Sequence, residues 1–159
     1  MSTLTKYVLT FFVSMVPLIE LRLGVPIGVG WLGQENWLKV LIVCMMGNML
    51  PVPIIFFFAR KVLVWGKDKK YIGKFFTFCL EKGKRGGEKL QAKAGRGMFV
   101  ALLLFVGIPL PGTGAWVGTL AASMLDLDFK KSSAAIMCGV LLAGIIMTVV
   151  SVFTATAIG

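Results

Sequence analysis

The chain has no histidine, and among its 159 residues only 7 are acidic, against 17 Lys and Arg. The missing imidazole excludes histidine-ligated zinc, a Ser-His-Asp triad and a histidine pH switch. Cysteine is equally sparse. Cys44, Cys79 and Cys138 show no CxxC spacing and sit among apolar or aromatic neighbours, which reads as three small buried hydrophobes. Charge is scarce as well, at 15% of residues, while 57% are hydrophobic and mean hydropathy reaches +0.87. A soluble domain of this length needs a polar skin that this composition does not supply. The expectation is one all-α polytopic membrane domain over 1–159, not an enzyme, with no metal and no cofactor.

Uninterrupted apolar runs are few too. A membrane crossing needs about 20 apolar residues. Residues 40–59 and 132–159 meet that length without a charge. The remaining apolar segments are broken. Residues 7–19 end in Glu20-Leu-Arg22, and 23–34 follow with Pro26, Gly28, Gly30 and Gly33. Lys6 followed by an apolar run resembles a signal peptide. Glu20 and Arg22 follow directly and no small-x-small cleavage site appears, so the segment reads as mature protein. Residues 98–125 are uncharged but interrupted by Gly107-Ile-Pro-Leu-Pro-Gly-Thr-Gly114. Two prolines and three glycines in those eight positions do not remain regular helix. Each broken segment is either one crossing with an unwound middle or a re-entrant hairpin. In both cases the free backbone groups must be buried in protein or face a watery cavity.

The positive charge is concentrated. Residues 60–96 hold twelve Lys and Arg against Asp68, Glu81 and Glu88, which is nearly the whole net charge of +10. The positive-inside rule places this stretch in the cytoplasm. Tyr71, Phe75, Phe76 and Phe78 interleave with Lys69, Lys70 and Lys74, the pattern of a helix in the headgroup layer that engages anionic lipid. Gly83, Gly86 and Gly87 are read as breaking that helix. Nucleic acid is not an expected partner.

A shift of 92 residues lays one half of the chain over the other. Pro17 falls on Pro109, Leu18 on Leu110, Trp37 on Phe129, Lys39 on Lys131, Met45 on Met137, Gly47 on Gly139 and Ile54 on Ile146. The order is shared: short arm, Pro-Leu break, second arm, aromatic-x-Lys hinge, long span. The expected organisation is repeat one at 7–62, a basic linker at 63–97 and repeat two at 98–159. Under the hairpin reading each half crosses once, the halves are inverted, and both chain ends face outside.

Chemistry is expected at the breaks, where paired Gly/Pro-interrupted segments mark transporter sites. Glu20 and Arg22 are the only charges within the first broken segment, and charge at membrane depth marks function by default. They are two apart, so at a break they either converge or each face the opposite half. Arg22 suits phosphate or carboxylate; without histidine, Glu20 is the best proton carrier. Pro109, Pro111, Gly112, Thr113 and Gly114 form a turn whose backbone N–H groups suit an anion, and Trp116 would line an apolar part of the path. Asn48, mid-span, reads as interhelix glue or pore lining. Lys39 and Lys131 would snorkel, and Gly139 and Gly144 would mark close helix contacts.

Pro17-Leu-Ile-Glu20-Leu-Arg22-Leu-Gly-Val-Pro26, Gly47-Asn48 and Ile108-Pro-Leu-Pro-Gly-Thr-Gly-Ala-Trp116 resemble the small multidrug export protein family over nearly the whole chain. That family in turn is similar to the DedA/VTT superfamily, whose members carry two re-entrant hairpins and move lipids. The resemblance implies a multi-pass transporter with inverted repeats in a prokaryotic plasma membrane, and residues 98–125 lack the arginines of the DedA second hairpin. The leading expectation is transport of an amphiphilic or lipid-phosphate anion, with Glu20 handling protons, Arg22 the anionic group, and Gly112, Thr113 and Gly114 further contacts. The alternatives are proton-coupled export of hydrophobic cations and a non-transporting scaffold. A small enclosure of this kind is expected to form a homodimer among membrane lipids.

Overall fold

The computed structural model describes residues 2–69, 73–94 and 97–158; the side chains at 59, 60, 62, 63, 75, 76, 79, 90, 91, 93, 94 and 158 are not described. No strand occurs among the described residues. The expected aromatic face at Tyr71, Phe75 and Phe76, and the Cys79 thiol, lie outside this description.

Helix α1 (Thr3–Met15) starts at Ser2, whose hydroxyl accepts from the Thr5 N–H. Pro17 cannot continue it, and the chain turns over residues 16–19 into α2 (Glu20–Leu32). The first break therefore precedes Glu20 and Arg22, which occupy the first turn of α2. Helix α2 continues through Pro26 at the cost of one ladder bond. The two helices run antiparallel. Lys6 Nζ donates to Trp31 O at 2.6 Å, Gly28 lies against Thr10, and Gly24 lies against Ser14. Thr10 and Ser14 return their hydroxyl protons to Lys6 O and Thr10 O, so this buried face carries no free hydroxyl donor.

After a 3₁₀ turn (Gln34–Asn36) a long rod follows: α3 (Trp37–Met49), α4 (Pro51–Ile54), a widened π turn (Ile55–Ala59) and α5 (Arg60–Gly66). Pro51 and Pro53 interrupt the hydrogen-bond ladder just before the turn widens. The second half holds α7 (Met98–Gly107), a turn over 108–114, α8 (Ala115–Met124) and α9 (Phe129–Ile158). Among the described residues two helices are long and apolar enough to cross a membrane, Gln34–Phe58 and Phe129–Ala157. Both begin a few residues before the spans expected at 40 and 132, because the aromatic-x-Lys hinges are helical rather than flanking. Lys39 and Lys131 stand exposed in the first turns.

The glycine contacts give the directions. A side chain on Gly47 would strike Phe11 O, and one on Gly139 would strike Leu103 O. These two contacts are 92 residues apart on both partners. They set α1 beside α3 and α7 beside α9 in the same way. Gly144 receives Leu41, and Thr156 Oγ1 donates to Gln34 Oε1 at 3.2 Å, so α9 runs opposite to α3. Gly139 and Gly144 are thus close helix contacts, as expected. The main core lies where α2, α3, α7 and α9 meet, around Leu21, Val25, Val40, Leu102, Val106, Ile136 and Val140.

Two expectations are corrected. Gly83, Gly86 and Gly87 do not end a helix: α6 (Gly73–Ala94) runs through all three. They are buried against α8 and its C-cap, where Gly83 faces Leu120, Gly86 faces Val117 and Gly87 faces Leu125. Spacing of three and four residues puts them on one helix face, and the lost propensity is offset by the close approach. Cys138 is exposed on α9, whereas Cys44 is buried against Gly24.

Candidate functional site

The two breaks meet. Glu20 is 3% exposed, and its carboxylate accepts from the Trp116 N–H at 3.0 Å and the Ala115 N–H at 3.3 Å. These belong to the first turn of α8, whose N–H groups have no partner within the helix and whose dipole favours negative charge. Gly114 makes the approach possible, because a Cβ there would overlap the carboxylate. Its φ of +119° also suits only glycine well.

Arg22 reaches the same turn from the other side. Its guanidinium donates to Leu110 O at 2.5 Å, to Thr113 Oγ1 at 2.6 Å and, more weakly, to Ile108 O at 3.5 Å. Thr113 in turn donates to Leu110 O at 2.8 Å. Ile108 and Leu110 follow the C-terminus of α7, where carbonyls are left over and the dipole favours a cation. Of the two arrangements open to Glu20 and Arg22, each facing the opposite half is the one observed. The carboxylate takes the positive end of α8, and the guanidinium takes the carbonyls beyond the negative end of α7. Trp116 adds a third link, its indole N–H donating to Met15 O at 3.1 Å.

The remaining expected residues are also placed. Pro109 and Pro111 shape the turn, with Pro111 exposed. Gly112 and Gly114 have positive φ, and the inward N–H groups belong to Ala115 and Trp116. Asn48 is 1% exposed, and its amide has no hydrogen-bond partner among the described residues. Sequence reasoning missed Lys82. Its ammonium lies 3.1 Å from where a Cβ on Gly112 would stand. Docking of α6 on α8 brings it there. Arg22 and Lys82 thus deliver two cations to a turn whose own segment has none. Among the described residues no cluster of Cys, Asp and Glu could hold a metal.

A groove of about 620 Å³ lies elsewhere. It is apolar and lined by Trp37, Leu41, Ile145, Val149 and Phe153 between α3 and α9. Its nearest edge, Leu41, is seven residues from Asn48, or about 10 Å of helix.

These features define a helical membrane protein in which two interrupted helix pairs interlock through buried charge. More particularly, residues 20–146 match the family described as "Putative small multi-drug export protein", and the chain belongs to that family. Comparison with curated proteins and with solved structures finds no match.

Proposed function

We propose that the protein is a transporter in which α1–α2 and α7–α8 are re-entrant hairpins entering from opposite faces, and that it moves an amphiphilic anion past their junction. The antiparallel registers of α1 with α2 and of α3 with α9 support the inverted arrangement, as do the paired contacts 92 residues apart. The observation that carries the substrate is the occupied α8 N-terminus. Glu20 already holds an anion's place there, flanked by Arg22 and Lys82. Protonation of Glu20 would vacate the Ala115 and Trp116 N–H groups for a phosphate or carboxylate headgroup. The apolar groove beginning at Leu41 would suit the tail. The exposed cations of α6, including Lys84, Arg85 and Lys89, would collect anionic lipid at the cytoplasmic face.

The family description, drug export, favours a second reading, for which we propose Glu20 as a shared site for protons and hydrophobic cations. One comparison separates the two. Vesicles reconstituted with the protein are offered a fluorescent phosphate-headgroup lipid or ethidium. Arg22→Gln is expected to abolish movement of the anionic lipid, and Arg22→Lys to impair it, because lysine loses the two-pronged fork. Ethidium transport that survives or rises in Arg22→Gln would overturn the anion reading.

A further inference from the structure

Asn48 presents a problem in physical chemistry. It is 1% exposed, and neither Oδ1 nor Nδ2 is hydrogen-bonded among the described residues. Buried polar atoms are overwhelmingly paired, so each exception calls for a reason.

The register of α2 against α3 shows what lies beside it. Gly28 meets Val40 and Gly24 meets Cys44. One more turn along both antiparallel helices brings Asn48 level with Glu20, whose carboxylate lies on the first turn of α8.

We infer that Asn48 is a positioning residue, the second seat of the Glu20 side chain. The ionised carboxylate sits on the α8 N-terminus, and the protonated acid turns to the Asn48 amide. The chemistry of the two groups selects this pairing. A carboxylate only accepts, so it leaves the amide oxygen unpaired. A carboxylic acid both donates and accepts. Its O–H donates to Oδ1 while its carbonyl accepts from Nδ2–H, and both unpartnered atoms are satisfied in one ring. The proton is taken from water and returned to water, and no other bond is made or broken. Departure of Glu20 uncovers the Ala115 and Trp116 N–H groups, which makes proton uptake and anion entry one event.

Among the described residues the surroundings add few other charges. Arg22 on α2 and Lys82 on α6 face the 108–114 turn, and α3 contributes the Cys44 thiol one turn from Asn48. Residues 98–125, including α7 and α8, carry no charge. Lys6 of α1 bonds Trp31 O at the far end of the hairpin, and Lys131 lies in the first turn of α9.

This inference rests on the reading that Glu20 takes up a proton, and the test separates the two. Infrared difference spectra are recorded on the full chain in phosphatidylcholine vesicles as the pH is lowered. The wild type is expected to give a carboxylic-acid carbonyl band at the low frequency of a doubly hydrogen-bonded acid, and Glu20→Gln to lack it. In Asn48→Leu the band should persist at the higher frequency of a free acid, and in Asn48→Ser it should fall between. Asn48→Leu should also unfold at the same or a higher temperature at neutral pH, because the seat is empty there. A band unmoved in both Asn48 variants overturns the seat and leaves the proton reading standing. A lower unfolding temperature for Asn48→Leu makes the amide structural and also overturns the seat. Wild-type spectra without a band that Glu20→Gln removes overturn both.

Discussion

Glu20 opens a helix with a backbone that few side chains adopt: its φ is +51°, and Leu18 just before it has φ +72°. A left-handed L-residue costs about 1–2 kcal/mol, whereas each hydrogen bond to a charged group contributes about 1.5–3 kcal/mol. The Glu20 bonds therefore outweigh the local strain, while Leu18, 65% exposed, has no such compensation. Leu18→Gly is expected to raise stability by about 1 kcal/mol, read as thermal unfolding in detergent. Gly114→Ala should do the reverse. It places a methyl group in the carboxylate's position and is expected to cost about 2 kcal/mol or more and to abolish transport. Glu20 and Arg22 stood out in the sequence because charge at membrane depth is rare. Lys82 did not, since it was one of twelve cations in a run and only the docking of α6 singles it out. The unpaired state of Asn48 was equally hidden, because it depends on what neighbouring helices fail to offer.

At the scale of the element, glycine carries two messages that composition alone does not distinguish. In the 108–114 turn it marks left-handed backbone, while in α6 it marks a face that another helix needs. The three- and four-residue spacing of Gly83, Gly86 and Gly87 was visible, but their common face had no visible partner until α8 was placed. The hairpin arms and the Pro-Leu breaks were readable because Pro17, Pro109 and Pro111 act locally. A substitution series separates the kinds of glycine. Gly47→Ala and Gly139→Ala push a methyl group into the carbonyls of Phe11 and Leu103, and each should destabilise by about 1–3 kcal/mol. Gly30→Ala meets nothing within 4 Å and should gain up to about 1 kcal/mol through helix propensity. Resistance to proteolysis in detergent ranks the three variants. Equal losses at all three positions would show that the glycines serve flexibility rather than contact.

For the whole molecule, the 92-residue offset seen in the sequence reappears in the contacts of Gly47 and Gly139, which share a packing role and not merely a residue type. The Thr156–Gln34 bond puts the end of α9 beside the start of the rod, at the end away from α6. Single cysteines at Asn36 and Thr156 are accordingly expected to label from outside, and one at Lys84 from the cytoplasm only. Labelling of Thr156→Cys from the cytoplasm would replace the hairpins with broken spans.

The bond between Glu20 and α8 also has a consequence for synthesis. Residue 20 leaves the ribosome long before residues 115 and 116 exist, and Arg22 likewise awaits Leu110 and Thr113. During that interval the first helix pair holds an acid and a cation without their final partners, and unpaired charge within a membrane is costly. Under the proposed topology, the first half is expected to stay shallow until the second half arrives with the partners of Glu20 and Arg22. A chain ending after Gly66 would lack every residue that Glu20 and Arg22 bond through their side chains.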